Sequence, residues 1–255
     1  MISAGIDIGS RTVKTALVDG SSIVKLDVAD ATSSPLEAAR VMLKALPACP
    51  VAVTGYGRDL LDAIGSFPTI TEIKAHALGA RFLQGDCTGV IDVGGQDIKV
   101  ISLDEEGRVK RFEMNDRCAA GSGRFLEIMA DRLGFSLEDF GNAALSGQNE
   151  VIISSMCTVF AESEVVGLLN KNVERRDIAA ALHRSIVKRI VSMYNRASPV
   201  SACIVATGGG AKNPALVAFL TKALGANIVA LPQGQSAGAI GCAVYAARLK
   251  EINAA

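Results

Sequence analysis

Two aspartates each stand just ahead of a glycine-rich turn: Asp7 in Asp-x-Gly-Ser at 7–10 and Asp92 in Asp-x-Gly-Gly at 92–95. Successive backbone N–H groups in such a turn can cradle a phosphate. A carboxylate at the same strand end suits Mg²⁺ bound through water. A third turn, Gly208-Gly209-Gly210, closes the apolar run 202–207. Taken singly, each turn is better explained as a tight hairpin; three of them, each ending a buried strand, point to phosphate. A P-loop is excluded, because the chain has no Gly-Lys dipeptide. A Rossmann turn must open a helix, whereas Gly9 and Gly94 lead into strands, and Gly121-Ser-Gly123 precedes a helix but follows no strand.

The six cysteines form a second group, with no two close in sequence. Cys203 lies in an apolar strand and Cys242 in a small-residue helix, and both read as core thiols. Cys49 lies between prolines and Cys87 in a short Gly/Asp turn, with no function assigned to either. Cys118 in NDRCAAGSGR and Cys157 in SSMCTVFAESE stand where helices begin. Free N–H groups there favour a thiolate and an anionic cluster, although a structural thiol fits the same local features. Two cysteines cannot complete a four-cysteine iron–sulfur site; a symmetric dimer can.

These residues need a scaffold, and an internal repeat supplies it. Residues 5–19 (GIDIGSRTVKTALVD) and 90–104 (VIDVGGQDIKVISLD) share Asp, Gly, Lys and the final Asp, offset by 85 positions. Each is an apolar run, a turn and a resumed alternation, which predicts strand, turn, strand. Two similar halves facing each other follow. Helical periodicity marks 71–83, 123–133, 157–171, 177–194 and 238–250, and Ser136 with Asp139 opens a short helix as a capping box. Residues 202–207 read as a buried strand, and Asn213-Pro214 starts another helix. The halves are placed at 1–85, joined by the C-terminal helix 238–255, and at 86–237.

Composition is consistent with such a fold. The chain has 255 residues, 49% of them hydrophobic, with 26 basic and 26 acidic side chains. A zero net charge gives no basic excess for nucleic acid or a membrane surface. No apolar run approaches a membrane span, and the N-terminus does not read as a signal peptide, so a cytoplasmic location is expected.

DxGSxTxK at 7–14, DVGGQD at 92–97 and TGGGAKNPAL at 207–216 resemble the phosphate-1, phosphate-2 and adenosine motifs of the actin/Hsp70/sugar-kinase ATPase superfamily. The resemblance implies an α/β fold of two ribonuclease-H-like halves with ATP or ADP in the cleft between them. It places Ser10, Arg11, Thr12, Val13 and Lys14 along the β/γ-phosphates, with Gly94 and Gly95 opposite. Asp7 and Asp92 would hold Mg²⁺ and its waters, and Gly208 and Gly209 would pack on the adenosine. Gln235 falls in a block similar to a nucleotide-contacting segment. Gln96 would orient the attacking water or merely brace its turn. Gly210 stands where a bulkier residue is expected.

NDRCAAGSGRFLE, CTVFAESEVVGLL, VTGYGR, TEIKAHALGA and DIAAALHRSIVKRI are similar to blocks of the ATP-dependent activator (archerase) component of 2-hydroxyacyl-CoA dehydratases, the BadF/BadG/BcrA/BcrD ATPase family. That resemblance runs almost end to end. It implies a homodimer with one bridging [4Fe–4S] cluster on Cys118 and Cys157 of each subunit. It also implies ferredoxin or flavodoxin as electron donor, a dehydratase or related reductase as acceptor, and an anaerobic or microaerobic cytoplasm. A small-molecule kinase and an actin-like assembly protein share the ATP cleft but give no reason for the two cysteine blocks.

Other side chains have plainer readings. His76, on the helix 71–83 and far in sequence from the cysteines, reads as a satisfied core or interface histidine. Its removal is expected to leave the cluster and ATP turnover nearly intact. His183 is placed on the exposed or interface side of the long helix. Glu162 and Glu164 fit a solvated face as well as a site.

Overall fold

The computed structural model describes residues 1–254 except 32, 117–120, 155–156 and 199–201. Both copies of the repeat fold as expected. Strand β1 (Ile2–Ile8) turns at Gly9-Ser10-Arg11 into β2 (Thr12–Asp19), and β5 (Gly89–Val93) turns at 94–97 into β6 (Ile98–Leu103). In antiparallel register Asp7 pairs with Lys14 and Asp92 with Lys99, so each aspartate faces the lysine of its own copy.

Each hairpin heads a sheet of similar order. The first runs β3-β2-β1-β4, with β3 (Ser22–Asp30) antiparallel to β2 and β4 (Val51–Thr54) parallel to β1. The second runs β7-β6-β5-β8-β9, with β7 (Val109–Asn115) antiparallel to β6. There β8 (Ile204–Thr207) is parallel to β5, and β9 (Ile228–Ala230) to β8. Strands β3 and β7 are mostly solvent-facing edges without a clean apolar alternation, which is why pattern reading passes over them. β7 also corrects one expectation: a strand does precede Gly121-Ser-Gly123.

Helix α1 (Pro35–Lys44), capped by Ser34, covers the first sheet, where Ala39 and Met42 join Ile6, Ile8, Val13 and Val53 in a core. The larger core lies against the second sheet. There α3 (Gly123–Leu133), α4 (Leu137–Leu145), α5 (Thr158–Asn170), α6 (Arg175–Ala197) and α7 (Pro214–Leu224) bury Phe125, Met129, Phe140, Ile178 and Leu216. The stripe predicted along α6 is buried throughout: Ile178, Leu182, Ile186, Ile190 and Met193. The Ser136 and Asn213 caps form as expected, accepting from Asp139 N–H and Leu216 N–H.

Two helices connect the halves. α2 (Glu72–Leu83) leans on the second sheet and α8 (Ala237–Ala254) on β1, β2 and β4 of the first. They cross backbone to backbone. A Cβ on Gly79 would collide with Ala237 O, and one on Gly241 with Ala75 O. No described helix is long and apolar enough to cross a membrane.

His183 corrects the sequence reading. It is fully buried on α6, its ring 4.7 Å from that of Phe140. Nδ1–H donates to Ala179 O at 2.8 Å, and Nε2 accepts from Asn213 Nδ2 at 2.9 Å. The histidine thus steadies the residue that caps α7. Burial lowers its pKa to about 4. The unfolded chain therefore takes up this proton first as pH falls from about 6.5. The contribution is present at pH 7 and is lost toward pH 4, roughly 2 kcal/mol of it by pH 5. His183→Gln keeps an acceptor opposite Asn213, so its urea unfolding free energy should fall less between pH 7 and pH 5. Equal slopes for both proteins would contradict this.

Candidate functional site

The three glycine turns converge. Lys14 Nζ donates to Asp7 Oδ2 at 3.1 Å at the end of β1. Gly208, at φ 76°, lies against Asp92; a Cβ there would stand 2.7 Å from Asp92 Oδ1, so only glycine closes this approach. The tips of the two hairpins also meet. A Cβ on Gly95 would lie 2.9 Å from Ser10 Oγ and 2.7 Å from Arg11 Cγ, and Arg11 reaches Glu127 on α3 at 3.0 Å.

The remaining predicted residues sort around this centre. Ser10, Arg11, Thr12 and Lys14 are half-buried along the first hairpin. Val13 is not like them: its side chain is fully buried in the first core, so only its main chain can face a phosphate. Gly94 and Gly95 are half-buried, and Gln96 is exposed at the tip. Gly208 N–H donates to Gly234 O at 3.2 Å, which brings the 3-10 turn Pro232–Ser236, and Gln235 with it, beside the third glycine turn. Nothing lies within 4 Å of a Cβ on Gly209, an open face for a flat ring. The bulkier residue expected at 210 does not fit, because a Cβ there would be 2.5 Å from Val93 Cβ.

Asp92 sits in a buried charge network that reading by motif missed. Lys99 Nζ lies 3.2 Å from Asp92, 2.6 Å from Asp97 and 2.8 Å from Glu72, and is only 2% exposed. Burial alone would lower the lysine pKa; the carboxylates of Asp92, Asp97 and Glu72 outweigh it and hold the ammonium above its ordinary value. Burial opposes ionisation of Asp92 as well, yet His76, Lys99 and Thr207 bring its pKa down to about 2. Asp97 goes the other way, raised by burial, with Asp92 adding to the effect. The sequence signal for Lys99 was present: it is the repeat partner of Lys14. Both Asp92 oxygens are engaged, Oδ1 by Thr207 at 2.8 Å and Oδ2 by Lys99. A Mg²⁺ would therefore be held through water. Among the described residues, no three His, Cys, Asp or Glu side chains converge to hold a metal directly.

The cysteines separate by environment. Burial raises the pKa of Cys203, of Cys87 to about 11 and of Cys242 further, so all three stay as neutral core thiols. Cys157 is exposed and immediately precedes α5, where no side chain caps the helix. The chain before it is pinned by Glu164, which accepts from Ser154 N–H at 2.9 Å and Oγ at 2.8 Å. Glu162 pairs with Arg132 at 2.7 Å. Cys118 lies outside the described residues. The helix that follows it is described, and Gly123 and Arg124 N–H donate to Gly94 O and Gly95 O at 2.8 and 2.9 Å. Thus α3 is seated on the second hairpin.

Paired Asp–Gly hairpins on two similarly ordered sheets, with a glycine turn closing over one of them, define the actin/Hsp70/sugar-kinase fold. A glucokinase from Streptomyces griseus, 13% identical, shares it with a TM-score of 0.62, covering 97% of this chain and all of that one. Residues 4–246 match the family described as the BadF/BadG/BcrA/BcrD ATPase family, and the chain belongs to it. The (R)-2-hydroxyglutaryl-CoA dehydratase activating ATPase of Acidaminococcus fermentans is 40% identical over 251 residues, 95% of each chain. An activator of the 2-hydroxyisocaproyl-CoA dehydratase from Clostridium difficile, solved with bound ADPNP, superposes with a TM-score of 0.89 at 37% identity, over 99% of this chain and 97% of that one.

Proposed function

We propose that this protein hydrolyses ATP to deliver a low-potential electron to a 2-hydroxyacyl-CoA dehydratase or a related reductase. The observation that carries the reading is the pair of hydrogen bonds from Gly123 and Arg124 to the carbonyls of Gly94 and Gly95. They join the turn that would face the γ-phosphate to the helix that follows Cys118. The relatives named as dehydratase activators support the choice of partner.

In this reading ATP lies between the hairpins. Ser10, Arg11, Thr12 and Lys14, with the main chain of Val13, bind the β/γ-phosphates opposite Gly94 and Gly95. Asp7 and Asp92 hold Mg²⁺ through water, and Gln96 at its exposed tip orients the attacking water. Gly208, Gly209 and Gln235 flank the adenosine. The halves 1–85 with 238–255, and 86–237, close and open as units about the α2–α8 crossing. A change at Gly94 or Gly95 is then passed directly to α3.

Cys118 and Cys157 from each of two copies would hold one [4Fe–4S] cluster, which when bound stores and passes a single electron. Cys157 fits this role: it is exposed at an uncapped helix start, beside exposed Ile152, Val159 and Phe160 that a second copy would cover. Ferredoxin or flavodoxin supplies the electron in an anaerobic or microaerobic cytoplasm. ATP promotes docking to the extent that the partner prefers the ATP-bound form.

Two experiments test this. Lys14→Ala and Asp92→Asn should each weaken Mg-ATP binding or hydrolysis at least about tenfold, roughly 1.4 kcal/mol; unchanged affinity and turnover in both would remove the cleft from the mechanism. Anaerobically purified protein should be brown, with about four irons per dimer. Cys118→Ser and Cys157→Ser should each lose the iron, whereas Cys203→Ser and Cys242→Ser keep it. A wild type that stays colourless after reconstitution with iron and sulfide sinks electron transfer and favours a small-molecule kinase.

A further inference from the structure

The sequence reading set His76 apart from the site; the structure puts it inside. On α2 and 5% exposed, it points Nδ1 at Thr207 Oγ1, 3.1 Å away, and at Asp92 Oδ1, 3.3 Å away. Proton accounting fixes what this nitrogen does. Ionised Asp92 can only accept, so the Thr207 hydroxyl spends its one proton on Asp92 Oδ1 at 2.8 Å. The hydroxyl oxygen then has only lone pairs left for His76. Both neighbours of Nδ1 are acceptors, and Nδ1 carries the proton.

Asp92 is thereby gripped from three elements: by Lys99 on β6, by Thr207 at the end of β8 and by His76 on α2. A ring protonated at Nδ1 alone leaves Nε2 as an acceptor. It faces toward the other hairpin: a Cβ on Gly238 would stand 3.2 Å from His76 Nε2 and 3.0 Å from Asp7 Oδ2. One imidazole therefore spans the space between the two motif aspartates, one from each half. A water molecule held at that point could donate one hydrogen to Nε2 and the other to Asp7 Oδ2.

We infer that His76 is a positioning residue for ATP hydrolysis, holding the Asp92 carboxylate in one orientation through Nδ1–H and accepting a cleft water at Nε2. This rests on the ATPase reading above and adds a residue to it. A histidine that merely fills space is distinguished by two amides. Asparagine places its NH₂ at the level of Nδ1; glutamine places it at the level of Nε2.

The expected result is a loss of about tenfold or more in kcat for His76→Ala and His76→Gln, with nucleotide affinity within about threefold of wild type, and substantial recovery in His76→Asn. Equal turnover in the Asn and Gln variants, or recovery by Gln alone, overturns the inference. A second readout does not depend on turnover. The chain has two histidines, so ¹⁵N imidazole spectra of the wild type are assigned by a single variant. Both rings should show the Nδ1–H tautomer, and Mg-ADP should move Nε2 of His76 but not that of His183. An Nε2–H pattern for His76, or no response to Mg-ADP in a protein that binds it, also overturns it. If the wild type neither binds nor hydrolyses ATP, the ATPase reading fails, and the tautomer still decides the geometry at Asp92.

Discussion

Replacing Lys99 with methionine should cost about 3–5 kcal/mol of folding free energy, the range seen when one partner of a buried ion pair is removed. The ammonium is 2% exposed and shared by Asp92, Asp97 and Glu72. Methionine fills much of its volume but neutralises none of the three carboxylates. Left without a cation, they favour their protonated forms, so the folded variant binds more protons than its unfolded chain. Because His183 titrates alike in both proteins, the stability gap between wild type and variant should then narrow as pH falls from 7 toward 5. Urea unfolding of wild type and Lys99→Met at both pH values gives the two numbers needed. A loss under about 1 kcal/mol would mean that the carboxylates find water or one another instead.

Gly241→Ala should lower stability by about 2–3 kcal/mol, even though alanine gains up to about 1 kcal/mol over glycine within a helix. The added Cβ would run into Ala75 O and lie 2.9 Å from Gly79 N. Both are backbone atoms of α2, so no side chain can rotate away and the helices must separate. Gly79→Ala collides with Ala237 O in the same way. Gly167→Ala on α5 is the control, since nothing lies within 4 Å of its Cβ. Thermal unfolding should fall for the first two and hold or rise for the third. ATP turnover should drop with the crossing variants, because α2 carries His76 and α8 carries Gly238. Unchanged melting in Gly241→Ala would show that the helices part at little cost.

Much of this was legible in the chain. The repeat announced two hairpins because Asp, Gly and Lys recur in an apolar frame, and register then fixed Asp7 on Lys14 and Asp92 on Lys99. Caps at Ser136 and Asn213 act over three residues and were equally readable. What escaped depended on long-range packing. β3 and β7 face solvent at the sheet edges and show little apolar pattern. His76 and Thr207 are 131 positions apart, and Asp92 and Thr207 115 apart; only the parallel pairing of β5 with β8 brings the latter two together. His183 lies one residue from the predicted stripe on α6, and an apolar count could not foresee that Phe140 and Asn213 would enclose it.

The two Asp–Lys pairs began from one pattern and now operate in different media. Lys14 keeps 12% of its side chain at the water's edge, bound to Asp7, while Lys99 is sealed among three carboxylates. An ammonium with one partner and a path to solvent can trade that partner for an incoming anion at modest cost. One with three partners and no path cannot. The duplicated motif thus sets an ammonium that can change partners on one wall against one that is fixed in place on the other.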